Sequence, residues 1–93
     1  MHQTRQHYTE TVKRQLDELN SQIDSLEAKA EAVREEARQG YQAELKKLRA
    51  QSHQAATQFS ALQRAGEESW DQMSNQMDKL REAFRHSFDY FKV

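Results

Sequence analysis

Leu16, Leu19, Ile23, Leu26, Ala30 and Val33 recur in steps of three and four, the alternation of a and d positions in a heptad. Asp17, Glu18, Asp24, Glu27, Lys29 and Glu31 fill the intervening positions, so the other faces of such a helix are water-facing. A helix with so narrow an apolar seam cannot bury it against itself. It needs a second helix beside it, and that requirement constrains this chain more than any other feature.

The stripe extends in both directions. It starts at Val12 and continues through Ala37, Tyr41, Leu45, Leu48, Ser52, Ala55, Phe59 and Leu62. Two successive steps of four at Ala37, Tyr41 and Leu45 form a stutter, which locally unwinds a supercoil. Gly40 beside it is tolerated in a helix at about 1 kcal/mol relative to alanine. The pattern therefore predicts one long helix over about 4–65, capped by Thr4 or Thr9, with residues 1–8 frayed.

Composition agrees with long helices. The 93 residues, enough for a single domain over 1–93, are 35% apolar and 31% charged, with no proline and two glycines. Opposite charges at helix spacing, such as Glu10–Arg14, Lys13–Asp17, Asp78–Arg81 and Glu82–Arg85, mark solvated faces. The net charge of −1, with signs interleaved throughout, argues against a nucleic-acid partner, which favours a concentrated basic face. There is no cysteine for a disulfide or a thiolate metal site. No apolar run resembles a signal peptide or approaches the ~20 residues of a membrane span, so cytoplasm is the expected compartment.

Gly66 is the strongest punctuation in the chain. With Gly66 at the C′ position of the long helix, Ser69 becomes a new N-cap with Gln72 three residues on. Glu67, Glu68 and Asp71 suit the dipole of a helix starting there. The competing reading is one continuous helix, because Leu62, Gly66, Trp70 and Met73 keep the stripe going.

Beyond this point the apolar vocabulary changes. Trp70, Met73, Met77 and Leu80 are followed eleven residues later by Arg81, Phe84, Phe88 and Phe91, a weak repeat close to the natural helical period. The stretch 50–63, by contrast, contains no Asp, Glu, Lys or Arg and is rich in Ala, Ser and Gln. An antiparallel hairpin joins the two oddities. A second helix over about 69–92 brings Trp70 near Leu62, Met77 near Phe59, Phe84 near Ser52 and Ala55, and Phe91 near Leu45. Large residues then meet small ones, as interdigitated helices require.

The expected fold is thus all-α, an antiparallel helical hairpin. Its long arm is ~90 Å and its short arm ~35 Å at 1.5 Å per residue. The short arm leaves Leu16 to Val33 uncovered, so that seam is assigned to self-association, as a homodimer or larger helical bundle.

The run Gln15-Leu16-Asp17-Glu18-Leu19-Asn20-Ser21-Gln22-Ile23-Asp24-Ser25-Leu26-Glu27-Ala28-Lys29-Ala30 resembles the opening of a group of short bacterial coiled-coil-domain proteins. Tyr8, Tyr41-Gln42, Leu45 to Leu48, Ser69-Trp70 and Glu82-Ala83-Phe84 also match recurring positions of that group, so the likeness spans nearly the whole chain. Two departures stand out: Arg81 replaces a frequent second tryptophan, and Gln51 to Gln63 is less charged. The resemblance implies an all-helical protein with no catalytic residues. Some members are labelled stress-response proteins.

No Gly-rich loop, nucleophile elbow or catalytic constellation is present, and no enzyme activity or cofactor is expected. Of His2, His7, His53 and His86, no two share helix spacing; Glu82–His86 is the nearest ligand-like pair. No metal site is assigned. The leading expectation is a non-enzymatic scaffold or protein-interaction module that associates with itself and has room for a further protein partner. A peripheral, lipid-surface role for the helix from Trp70 to Phe91 is the alternative, and histidine-assisted metal binding a lesser one.

Overall fold

The computed structural model describes residues 4–92. It is all-α, with three helices: α1 (Arg5–Ala28), α2 (Glu35–Gln63) and α3 (Glu67–Ser87). Single 3-10 turns at Ala30–Ala32 and Phe88–Phe91 complete the chain. The helices run up, down and up in a bundle of 50 × 18 × 17 Å. The hairpin expected from the sequence is α2 with α3. The continuous-helix alternative is excluded by the packing of these two against each other.

The expected long helix is divided. Between α1 and α2 the chain leaves helical geometry at Val33 (φ −74°, ψ 140°) and Arg34 (φ −56°, ψ 143°). No glycine or proline sits there. The turn is instead held by donors from α2. Arg38 Nη2 donates to the Glu31 and Val33 carbonyls, at 3.3 and 3.1 Å, and Tyr41 Oη donates to the Leu26 carbonyl at 2.7 Å. Carbonyls of the turn, and of the last turn of α1, thereby gain side-chain donors. Glu35 and Glu36 occupy the first turn of α2, where negative charge is favoured by the helix dipole. Gly40 lies within α2, as the stripe implied.

Folding α1 back covers the seam that the sequence left open. Leu16, Leu19 and Ile23 are buried inside this one chain, together with Val12. Leu26 and Ala30 pack at the margin of the same core, and Val33 is half-buried in the turn. The uncovered seam was the reason for assigning Leu16 to Val33 to self-association, and α2 and α3 remove that reason. At roughly 1.5–3 kcal/mol per fully buried aliphatic side chain, closing the bundle outweighs the loss of a few helical hydrogen bonds at the turn.

The N-terminal expectation also changes. Thr4 caps α1, its Oγ1 accepting from the His7 N–H at 3.1 Å, and Arg5 to Tyr8 are helical rather than frayed. Residues 1–3 of the segment expected to fray lie outside the described residues, and so does His2.

The second turn falls where Gly66 suggested, with different roles. Gly66 has an extended backbone (φ −77°, ψ 172°) and is itself the N-cap of α3, while α2 ends at Gln63 with Arg64 as its C-cap. Ser69 is inside the first turn, its N–H donating to the Gly66 carbonyl at 3.1 Å. Gly66 is thus not a left-handed C′ residue. Arg5, from the other end of the chain in sequence, supplies what such a glycine would have arranged: its Nη2 donates to the Leu62, Gln63 and Ala65 carbonyls.

The core is formed by Leu45, Leu48, Ala55 and Leu62 of α2, Met77 and Phe84 of α3, and Phe88 after it, closed by the four residues of α1. Phe59, Trp70, Met73, Leu80 and Phe91 are half-buried around it. The register matches the expected pairing within about a turn: Gln58 Nε2 donates to Gln76 Oε1 at 3.2 Å, and the Tyr41 and Phe91 rings meet edge-on at 5.0 Å. Ser52 departs from its expected role. Its hydroxyl donates to Asn20 Oδ1 on α1 instead of only making room for Phe84.

Candidate functional site

Among the described residues no buried position is polar or charged, so the core is packed from apolar side chains. Polar side-chain contacts lie outside this core, and aromatic pairs stand at both ends of the bundle.

At one end, α1 and α3 are clasped by an aromatic and charged cluster. The Trp70 ring meets Tyr8 edge-on at 5.6 Å and carries the Arg5 guanidinium 4.4 Å from its centroid. Tyr8 Oη lies 2.6 Å from Asp78 Oδ1 and 3.0 Å from the Ser74 carbonyl. Arg81 Nη2 donates to Asp78 at 3.0 Å and its guanidinium stacks 5.7 Å from the Tyr8 ring. Burial, with the Asp78 carboxylate close by, pushes the Tyr8 hydroxyl well above the usual tyrosine range. Trp70 is therefore engaged with α1 rather than with Leu62 alone, and the cluster's members pair with one another except at Arg81 Nε, which is buried without a hydrogen-bond partner among the described residues.

The other end is less filled. There the end of α1 and the 3-10 turn after α3 leave a cleft of about 250 Å³ with Leu26, Phe88 and Phe91 among its walls and Lys29 and Lys92 at its rim. Gln22 and Ser25 complete it. Phe91 is pinned between Tyr41 and Tyr90, whose ring meets it edge-on at 5.1 Å. Tyr90 is half exposed. Asp89 Oδ1 lies 3.4 Å from Lys92 Nζ and is, among the described residues, the one carboxylate paired with a rim lysine. A larger hollow of about 750 Å³ lies along Glu10, Lys13, Asp17 and Glu18 of α1. It is one helix's charged outer face, open to solvent, and the smaller cleft is the better-formed site.

Between the ends, α1 and α2 are joined on the surface. Arg49 on α2 donates to Asp24 Oδ1 at 2.9 Å and to Glu27 Oε1 at 2.6 Å. The Arg49 hydrogen bond holds the Glu27 carboxyl below its usual value.

His7 and His53 are exposed. His86 does approach Glu82, at 3.2 Å, but Glu82 also accepts from Arg85 at 2.7 Å, and Asp89 lies 3.4 Å from the other ring nitrogen. No group of three or more metal-ligating side chains gathers among the described residues. No helix among them is long and apolar enough to cross a membrane. The apolar face from Trp70 to Phe91 is turned into the bundle at Met77, Phe84 and Phe88, which leaves a lipid surface little of it to meet.

Lys29, Lys92, Arg5 and Arg49 were not singled out by the sequence. Each is an ordinary surface cation locally: the groups that Arg5 and Arg49 join lie at least 22 residues away in the chain, and Lys29 and Lys92 line one cleft from positions far apart in the sequence. Compared with protein-family models, with curated proteins and with solved structures, the chain matches none.

Proposed function

We propose that this chain is a non-enzymatic helical interaction module that docks an acidic peptide segment at the end cleft. One observation carries the reading: an apolar hollow walled by Leu26, Phe88 and Phe91 lies beside Lys29 and Lys92. A hollow of about 250 Å³ suits one large apolar side chain rather than a drug-sized ligand, since small-molecule sites run from about 300 to 1,000 Å³. Interfaces concentrate their affinity in such an anchor seated in a pocket. Two lysines beside the hollow favour a carboxylate next to that anchor, since Asp89 attracts a basic residue less than the two lysines together repel it. The wholly apolar interior supports a scaffold that presents a surface rather than one that performs a reaction.

Selection from a displayed random-peptide library tests this. Enriched peptides are expected to place Leu, Phe or Trp within a few positions of Asp, Glu or the peptide's C-terminus. Their binding should weaken more than about tenfold in Lys29→Glu/Lys92→Glu, as the reversal of two rim charges beside a carboxylate implies. Retained helicity of the variant is checked by circular dichroism. Peptides that bind the charge-reversed protein equally well would overturn the assignment.

A further inference from the structure

The turn between α1 and α2 contains nothing that forces a turn. Lys29, Ala30, Glu31, Ala32 and Arg34 are good helix formers, Val33 is only mildly unfavourable, and the described residues contain no positive φ. Only Val33 and Arg34 leave the helical region outright. Helical dihedrals at those two residues, with the 3-10 turn relaxed, would join α1 to α2 as one helix of ~90 Å.

The apolar stripes on either side are mirror images. Counting outward from a point between Glu35 and Glu36, Ala30 and Tyr41 are equidistant, and so are Leu26 and Leu45, Ile23 and Leu48, Leu19 and Ser52, Leu16 and Ala55, and Val12 and Phe59. This mirror lets α1 lie antiparallel on α2 within one chain. It serves equally well for α1 of one chain on α2 of another. Asn20 bonds Ser52, and Asp24 and Glu27 bond Arg49, in a register that both arrangements share.

From this geometry we propose that the chain exchanges α1 with a second copy of itself. Lys29 to Arg34 straightens, and each α1 packs on the partner's α2–α3 hairpin. The result is a two-bundle rod about twice the 50 Å length of the monomer. The helix-to-helix packing outside the turn is kept, so the balance rests on the hinge and on the cost of joining two chains, the usual condition for exchange of an identical element. Two features favour the straight form. Backbone hydrogen bonds lost at Val33 and Arg34 are regained, and half-exposed Ala30 and Val33, with exposed Ala37, meet their counterparts at the crossing. Lys29, Arg34 and Arg38 there are matched by Glu31, Glu35 and Glu36, so the crossing brings together no net charge. Opposing them, Arg38 and Tyr41 give up their bonds to the turn carbonyls, and joining two chains carries an entropy cost that falls as concentration rises.

Proline separates the two forms. Arg34 has φ −56°, Val33 before it has ψ 140°, and the Arg34 N–H makes no backbone hydrogen bond among the described residues. Arg34→Pro therefore fits the turn and breaks the straight helix. The chain also lacks cysteine, so Asn20→Cys/Ser52→Cys places the only thiols at positions already hydrogen-bonded across α1 and α2. Full-length protein refolded at high concentration is separated by size exclusion with light scattering and then oxidised. The dimer fraction is expected to carry disulfides between chains, the monomer fraction disulfides within one. Small-angle scattering of the dimer should give a maximum dimension about double the monomer's. Arg34→Pro should lower the dimer fraction more than about tenfold with helicity intact, since proline inside a helix is strongly unfavourable. A chain that remains monomeric throughout, a dimer whose disulfides are all within chains, or an undiminished dimer in Arg34→Pro would each overturn the proposal.

Discussion

Arg5 joins all three helices at one end of the bundle, and Trp70 is its platform. The guanidinium lies 4.4 Å from the Trp70 ring centroid on α3 and donates to the terminal carbonyls of α2, while its backbone belongs to α1. A cation at a helix C-terminus is favoured by the dipole, and stacking on the indole adds to it. Arg5→Ala is expected to destabilise the chain by about 1–2 kcal/mol, and Arg5→Lys by less, since lysine keeps the charge without the planar fork. Denaturant unfolding followed by Trp70 fluorescence measures both. A loss confined to the first turn of α1, leaving Trp70 emission unchanged, would show that the clasp does not hold the helices together.

Tyr8 gives the bundle an alkaline limit. Its hydroxyl is raised above the ordinary value of 10.0 by burial and by the Asp78 carboxylate, so the folded state resists its ionisation. The unfolded chain releases that proton first. Stability attributable to Tyr8 is present in full below pH 10 and falls as the pH rises beyond it. Tyr8→Phe should flatten that decline, while losing about 1 kcal/mol or more at neutral pH with the Asp78 and Ser74 bonds. Unfolding midpoints between pH 8 and 11 decide it; identical slopes for the two proteins would place the alkaline transition elsewhere.

The acid limb runs the other way. Glu27 is held below its usual value by the Arg49 hydrogen bond, so its contribution is present above the unfolded carboxyl range and disappears as the pH falls through the folded one. Glu27→Gln should reduce the slope of stability against pH between about 5 and 3. Because the pair is exposed, raising the salt concentration should shrink the difference. A salt-independent difference would mean that packing, rather than charge, links Arg49 to α1.

The α2–α3 hairpin was legible because its two arms differ in kind: small uncharged residues over 50–63 and large apolar ones from Trp70 onward each lack a purpose without the other. The turn at Lys29 to Arg34 was not. Its residues favour helix, and the apolar stripe passes through Ala30 and Val33 without interruption. What ends α1 is the gain from burying Leu16, Leu19 and Ile23, together with donors on Arg38 and Tyr41 that reach the turn only once it has formed. Glu35-Glu36 is the local trace, an acidic pair at a helix start. The end cleft was hidden for a simpler reason: Lys29 and Lys92 are far apart in the chain and become neighbours only in the bundle.

Phe84 measures how much of the stability lies in the shared core. It is 1% exposed, the largest fully buried side chain, and its ring lies 5.6 Å from that of Phe88. Phe84→Ala should cost about 3–5 kcal/mol, the range for emptying an aromatic site in a core. Leu80→Ala, at a half-buried position on the same helix, should cost clearly less. Chemical denaturation of the pair tests the ordering, and equal losses would contradict the placement of α3's buried face.

Gly40 offers the opposite experiment. It sits inside α2 with an ordinary negative φ, so glycine there carries only its entropic penalty, about 1 kcal/mol against alanine. An added Cβ would come 3.1 Å from Tyr90 Oη, tight enough that something must yield. That atom is the far end of a half-exposed side chain in a 3-10 turn at the bundle's end, and a displacement of a few tenths of an ångström is small for it. Gly40→Ala is therefore expected to stabilise the chain by about 0.5–1 kcal/mol, raising the thermal midpoint by several degrees for a domain of this size. If the midpoint falls instead, Tyr90 is anchored more firmly than its exposure implies. Gly40→Ala combined with Tyr90→Phe, which removes the crowded hydroxyl, should then restore the gain.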